Sequence, residues 1–544
     1  MFLRLQTCLL FLWMVLGGTV GAERYFADYY YVPPPAAKAS SRTGSVPSNN
    51  DVLPAPVVRS WLETSMPALV LEDFRGDVPA TKALAEEVPA HQVAFGRELA
   101  LSAEYVFGGP VPVEAGGYVF LGAVTSVDAR ALRLRVALED LAGDEALYVL
   151  DAEGKAAFGA YTADQAGPNG VWLPTTLGDT VVLALCSPRP DCPKIRLETV
   201  SHFFKSIFVP GADAPLACHI PIGEETQPDA AAVASGVGML IIPYGSGQAF
   251  CSGALLTTQS PASLPPEPYF FSAWHCFDTA VDFAGVEVFW DYRSETDDPN
   301  LLVRNQGSEL VGYNETLDAA LIKLTDPVDV GPFGRAWLGW DTQRPEKDEL
   351  VQTIHHPRAY SMKTSRGSVT KGAADICLNS TCTAVYEEQI EALWSEGVTE
   401  QGSSGSPLLN RDLNYRVIGS LSNGPAHSCT NTSGNYDHYS SFSLFFEQVK
   451  CHLVSGLECG TPYEPKHEDV CLICRIFGKE AVEVENLRRF RDRVLSTSDW
   501  GKSLIREYYA LGPELGDWLE RDPMAKAAFK GVAFLGSAWG ASLK

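Results

Sequence analysis

From about residue 56 to residue 455 the apolar residues of this chain come in short runs closed by Gly or Pro, with 47 glycines and 36 prolines in the whole sequence. Runs such as "ALRLRVALEDL", "EALYVLD" and "TVVLALC" before residue 205, and "GMLIIPYG", "VEVFWDYR" and "AALIKL" after it, suit strands between tight turns. The expected fold class is therefore mainly β: a small β-sandwich over 56–205 and an antiparallel barrel protein over 206–455. At 544 residues the chain is too long for one core. Residues 23–55 are rich in Pro, Ser and Ala and read as a linker. Beyond Cys459 the pattern changes: Leu487, Phe490 and Val494 recur at helical spacing, with Arg488, Arg489, Arg491 and Arg493 on the remaining face. A helical module is expected over 460–544.

The N-terminus sets the compartment. Arg4 precedes the short apolar stretch "LLFLWMVLGG", which ends in "VGA" before Glu23. This is the pattern of a secretory signal over 1–22, cut after Ala22, and its apolar core is shorter than the roughly 20 residues of a membrane-spanning helix. No later stretch is long enough to span, so an exported chain without a transmembrane segment is expected. Of the 13 cysteines, Cys8 falls in the signal, and 13 − 1 leaves an even 12, as a disulfide-bonded exported protein requires. A formal net charge of −25 argues against nucleic acid or an anionic membrane as main partner.

The chemistry centres on "TEQGSSGSPLL", Thr399 to Leu409, a cluster of small residues holding three serines. A serine nucleophile needs a base, and the base an orienting acid. "FSAWHCFDT" sets His275 beside Cys276 after an apolar run, and "NETLDAALIKL" sets Asp318 at the head of an alternating strand. Each segment alone fits a structural histidine or a turn aspartate. Their order along the chain, His275, Asp318, then the serine loop, makes the three a candidate catalytic set.

With these motifs the chain resembles the trypsin-like serine proteases, and most closely the bacterial lysyl endopeptidases. The resemblance covers roughly 215–450 through "AWHC", "FWDYR", "LDAALIKL", "WLGWD", "IHHP", "GVTEQGSSGSPLL" and "NGPAHSC". It implies a double β-barrel with the active site between the barrels, acyl transfer with neither metal nor organic cofactor, and protein or peptide substrates. The family's Gly-x-Ser-Gly-x-Pro turn falls on Gly402 to Pro407, so Ser404 is the implied nucleophile, His275 its base and Asp318 the orienting acid. The amides of Gly402 and Ser404 would form the oxyanion hole, and Ser403 and Ser406 would have structural roles. Asp437 matches the carboxylate that receives the substrate lysine, with Ser422 and Asn423 as backbone partners for the peptide. Ser422 stands where family members often carry a histidine, a departure that bears on the binding strand. Lysine is the expected specificity, arginine the alternative, and an inactive scaffold serving binding or adhesion the alternative of another class.

The resemblance also implies disulfides Cys251–Cys276 and Cys218–Cys429. Sequence neighbours suggest Cys186–Cys192, Cys377–Cys382 and Cys451–Cys459. "IHHP", His355 and His356, is expected to be a structural strand end, because adjacent side chains on a strand face opposite ways. "CLIC", Cys471 to Cys474, reads as a disulfide or structural cysteines in place of a redox or zinc site. The region 56–205 resembles the family's pro-regions, notably in "VWLPTTLGDTVVLAL", and would assist folding and cover the active site. The tail resembles a helical module of exported bacterial proteins, implying sorting or surface association. Lys205, in "VSHFFKSIFVPGADAPLACHIP", is expected in an accessible linker where an enzyme cutting after lysine could process itself. A monomer, secreted by a bacterium into the medium or periplasm, completes the expectation.

Overall fold

The computed structural model describes residues 24–35, 68–71, the backbone of 92–104 and, with short interruptions, 107–463. The expected signal, the "CLIC" motif and the tail expected to be helical lie outside the described residues.

Two β-barrel units follow one another after residue 237. The second is closed: Leu350–His355, Lys363–Cys377, Val385–Glu396, Tyr436–Tyr439, Arg416–Asn423 and Pro407–Asn410 form an antiparallel ring in that order, the last pairing back to the first. Closure removes the sheet edges. The first is an open half-barrel, with Val237–Tyr244 and Gly247–Leu256 at its centre. One of its arms carries Tyr269–Ser272, Ala319–Leu324 and Ser308–Asn314. Every residue of Tyr269–Ser272 is buried, so the run lacks the alternation of a half-exposed strand. The helix Phe442–Leu453 packs Phe442, Phe445, Phe446 and Val449 into a core shared with Phe271 and Trp340. The mainly β, double-barrel expectation holds.

The region before residue 205 contains two facing sheets around a core that includes Phe120, Leu134, Leu147, Leu183 and Val200. One of these sheets does not stop at the seam expected from the sequence. Arg196–Phe203 pairs with Gln92–Glu104, which pairs in turn with Gly247–Ala249 of the half-barrel. The junction is sealed by a buried polar cluster. Glu287 accepts from the Thr175 hydroxyl at 2.7 Å and from Arg304 Nη1 at 3.1 Å, and Arg133 Nε lies 3.8 Å away. Periodicity could not show this, because strand pairing across a domain seam is set by tertiary approach and not by local pattern.

Two further expectations are corrected. The linker assigned to 23–55 begins with structure: Phe26–Ala27 pairs with Trp340–Asp341, and Tyr30–Val32 with Arg335–Trp337. Arg24 grips the buried Asp341 through two nitrogens at 3.0 and 2.7 Å. Gly339 and Gly334 make room, since a Cβ there would overlap the Ala27 carbonyl oxygen and the Tyr31 hydroxyl respectively. The stretch around Lys205 is no open linker either. Lys205 is half-buried, while Phe203, Ile207 and Phe208 are buried against Met239, Phe250 and Tyr292. The Tyr292 hydroxyl donates to the Phe208 carbonyl at 2.8 Å.

Candidate active site

The strand Tyr269–Ser272 ends in the short turn Trp274–Cys276, and a disulfide from Cys276 to Cys251 ties that turn to the neighbouring strand. Asp318 reaches the same end of the sheet because the strand that follows it pairs with Tyr269–Ser272, Ser272 opposite Ala320. The buried Asp318 carboxylate accepts twice from one residue: from the His275 amide at 2.8 Å and from its Nδ1 at 2.8 Å. An acceptor on that side puts the imidazole proton on Nδ1 and leaves Nε2 with its lone pair. Asp318 has φ of 56°, a left-handed conformation that costs of order 1–3 kcal/mol in a non-glycine residue and persists where the surroundings over-determine it. Here the Asp318 amide bonds to the Glu315 carbonyl at 3.3 Å, and the Leu317 amide to Asn314 Oδ1 at 3.0 Å.

The serine loop folds as a tight turn with Gly402 at φ 90° and Gly405 at φ 79°. A side chain at Gly402 would overlap the Phe250 ring, and one at Gly405 would overlap Ser272 Oγ and the Ser252 carbonyl. Glycine is thus required twice, for conformation and for close approach. The contacts carry Ser404 against the first barrel: the Ser252 amide donates to the Ser404 carbonyl at 2.8 Å, and the Ser252 hydroxyl to the Gly402 carbonyl at 2.8 Å. Gly405 meanwhile bonds to Leu421 of the second barrel. Among the described residues, the amides of Gly402 and Ser404 have no acceptor within the protein. The other two serines are buried. Ser403 Oγ accepts from the Glu400 amide at 3.2 Å and lies 2.7 Å from His355 Nδ1, and Ser406 Oγ lies 3.1 Å from Thr353 Oγ1.

A cavity of about 520 Å³ opens beside Ser404, lined also by Thr399, Ser422, Asn423, Gly424, His427 and Asp437. Asp437 is 2% exposed. Its Oδ2 accepts from Trp394 Nε1 and from the Thr399 hydroxyl, both at 2.6 Å. Its Oδ1 faces His427 Nε2 at 3.1 Å and the space over Gly424, where a Cβ would overlap it. Ser422 and Asn423 lie at the end of the strand Arg416–Asn423, and among the described residues the buried Ser422 hydroxyl has no hydrogen-bond partner.

Residues 216–440 match the family model of the lysyl endopeptidase C-terminal domain. A lysyl endopeptidase of Pseudomonas aeruginosa is 26% identical over 350 residues, spanning 60% of this chain and 73% of that protein. Residues 216–440 form a trypsin-like serine endopeptidase domain. Among solved structures, the active form of the Rv3671c protease of M. tuberculosis is 12% identical, with a TM-score of 0.29, over 47% of this chain and 97% of that one. The MamO protease domain of Magnetospirillum magneticum is 14% identical, with a TM-score of 0.26, over 39% and 95%.

Below its serine turn the protease domain carries a network that sequence reasoning missed. Glu400 Oε2 accepts from the Leu216 amide at 2.7 Å and from His219 Nε2 at 2.9 Å, and Oε1 from Arg358 Nε at 2.7 Å. Burial works against the charged form, but these bonds outweigh it and hold the carboxyl at about 2. His219 reaches Glu400 because Cys218 is bonded to Cys429. Thr399 and Glu400 stood inside the motif already quoted, but nothing local distinguished them from other loop residues.

His355 and His356 are buried strand-end residues with separate partners, Ser403 Oγ for the first and the Tyr360 carbonyl at 2.9 Å for the second. Two His–Cys groups could suggest a metal, Cys251 with His275 and Cys276, and Cys451 with His452 and Cys459. In each the sulfurs are joined as a disulfide, so one imidazole remains as donor. Cys377 is also disulfide-bonded. The suggested Cys186–Cys192 bridge is corrected: both are free thiols, Cys186 packed beside Val182 and Leu121 and Cys192 exposed beside the Pro193 carbonyl. Among the described residues the sandwich supplies no lining residue to the Ser404 cavity, whose lining comes from 216–437. Among the described residues it docks instead onto Glu287 and Gly247–Ala249. Among the described residues no helix is long and apolar enough to cross a membrane.

Proposed function

We propose that this chain is an exported endopeptidase that hydrolyses peptide bonds after lysine. Ser404 attacks the scissile carbonyl while His275 Nε2 takes its proton and later gives it to the leaving amine. Asp318 holds the tautomer and stabilises the imidazolium. The open amides of Gly402 and Ser404 would receive the oxyanion, each donor contributing about 3 kcal/mol. Water, activated by the same histidine, then releases the acyl group.

The observation that carries lysine is the Asp437 carboxylate, buried within the cavity that opens at Ser404. A buried carboxylate favours a cationic side chain because leaving it unmatched is costly. Its bonding favours lysine over arginine. Oδ2 is already taken by two donors, which leaves Oδ1 over Gly424. A single remaining oxygen suits the point charge of an ammonium better than the two-pronged guanidinium.

Digestion of matched peptides containing one lysine or one arginine tests the reading. Cleavage after lysine is expected to exceed cleavage after arginine, and to be lost in Ser404→Ala. Equal cutting at both would remove the lysine assignment, and activity surviving Ser404→Ala would remove the nucleophile. The sandwich fits a folding aid that stays docked until cut free. Export rests on the leader and on the disulfides.

A further inference from the structure

His427 is a residue of "NGPAHSC" for which the reaction just described has no use, yet it touches the pocket carboxylate. Its position is fixed on both ring nitrogens. The Thr399 amide donates to Nδ1 at 3.0 Å. A backbone N–H cannot accept, so Nδ1 carries the lone pair and Nε2 the proton. That Nε2–H donates to the Tyr436 carbonyl at 3.4 Å, and Nε2 lies 3.1 Å from Asp437 Oδ1. The side chain is 1% exposed. Trp394 and Thr399 donate to Asp437 and His427 stands against its other oxygen, and of the three His427 alone can change charge.

Resting on the lysine reading above, we propose that His427 is a specificity-determining residue: neutral, it leaves Asp437 Oδ1 to the substrate ammonium, and protonated it shuts the pocket to that cation. The physical reasons are two. An imidazolium beside Oδ1 supplies the positive charge the carboxylate would otherwise seek from the substrate, and it repels a second cation at close range in a poorly hydrated pocket. Protonation must also occupy Nδ1, which breaks the bond from the Thr399 amide and disturbs the loop that leads to Ser404.

The groups that face His427 leave it this role. Burial opposes its charged form, while the bond to Asp437 and the nearby Glu400 act the other way and raise its proton affinity. Glu400, on the nucleophile loop, is held at about 2 and is shared with Arg358. His219, on the N-terminal segment, and His355, on the strand below, are pushed down by burial. As pH falls, His427 is the imidazole of this group that gains charge first.

The probe is n-butylamine, the end of a lysine side chain, bound to the full-length Ser404→Ala protein and followed by calorimetry from pH 8 to pH 5.5. The expected affinity falls by about tenfold for each pH unit below the His427 pKa. In His427→Gln, whose amide donates without titrating, the change is expected to stay within about twofold over the same range, as linkage requires of a group that takes up no proton. A pH-independent affinity in the Ser404→Ala protein, or an unchanged slope in His427→Gln, overturns the role of His427 and leaves the lysine reading standing. No butylamine binding even at pH 8, while a neutral sulfonyl fluoride still sulfonylates Ser404 in the unsubstituted enzyme, overturns the lysine reading and this inference with it. Should the glutamine variant not fold, KM for a lysyl ester in the unsubstituted enzyme serves: it must rise as pH falls through the imidazole's range, and a flat KM refutes the proposal.

Discussion

Replacing Glu400 by glutamine should weaken the fold by a calculable amount that depends on pH. The carboxyl sits at about 2 against an ordinary 4.5. A lowering of that size corresponds to about 3 kcal/mol. Part of it must be discounted. His219 is itself pushed down by burial and donates to Glu400 as a neutral ring, so the attraction of an imidazolium is absent. We expect about 2 kcal/mol from the Leu216 and His219 bonds together with Arg358. Because the folded pKa is depressed, this stability is fully present above about pH 4.5, where the unfolded chain's glutamate is ionised, and is lost as pH falls toward 2. In a Ser404→Ala background, which prevents self-digestion, thermal unfolding followed by circular dichroism should show Glu400→Gln melting about 4–8 °C lower at pH 6. The gap should close toward pH 2. Other ion-paired carboxylates titrate equally in both proteins, so the difference isolates Glu400. A gap that stays constant from pH 6 to pH 2 would refute the argument.

The remaining predictions are briefer. Ser406→Ala removes one buried hydroxyl bond to Thr353 and should cost about 1 kcal/mol while retaining most peptide cleavage, whereas Ser404→Ala should abolish turnover and leave the melting temperature nearly unchanged; burst kinetics with an active ester separates the two. Asp437→Asn should lower kcat/KM for lysyl substrates by at least about a hundredfold, as loss of a buried ion pair implies, yet leave sulfonylation by a small neutral sulfonyl fluoride within a fewfold. Gly339→Val should expel the N-terminal strand and break the Arg24–Asp341 pair, costing about 2 kcal/mol or more; proteolysis at residues 24–32, monitored by mass spectrometry, should then become fast. Cleavage after Lys205 would require Ile207 and Phe208 to leave their buried sites, so N-terminal sequencing of the mature enzyme should find no chain beginning at Ser206, and finding one would show that this segment opens readily.

The catalytic candidates were legible because each lies in a short motif whose local chemistry is demanding: a serine between glycines that alone tolerate the turn, a histidine beside a cysteine, an aspartate at the head of an alternating strand. The mainly β character was legible for a similar reason, since strand alternation and Gly or Pro turns are properties of neighbouring residues. What tertiary structure decided is of another kind. The side chains around Asp437 are Trp394, Thr399 and His427, on three separate stretches, and become one group only when Val385–Glu396 pairs with Tyr436–Tyr439. Glu400 became a buried anion only because a disulfide brought Leu216 and His219 against it. The strand at residues 24–32, hidden in a Pro- and Ser-rich region, owes its place to two glycines some 300 residues away that leave a groove its backbone can fill. Local pattern records what a residue needs from its neighbours in the chain, whereas burial, charge pairing and the fit of one segment on another depend on distances that exist only after the chain has folded.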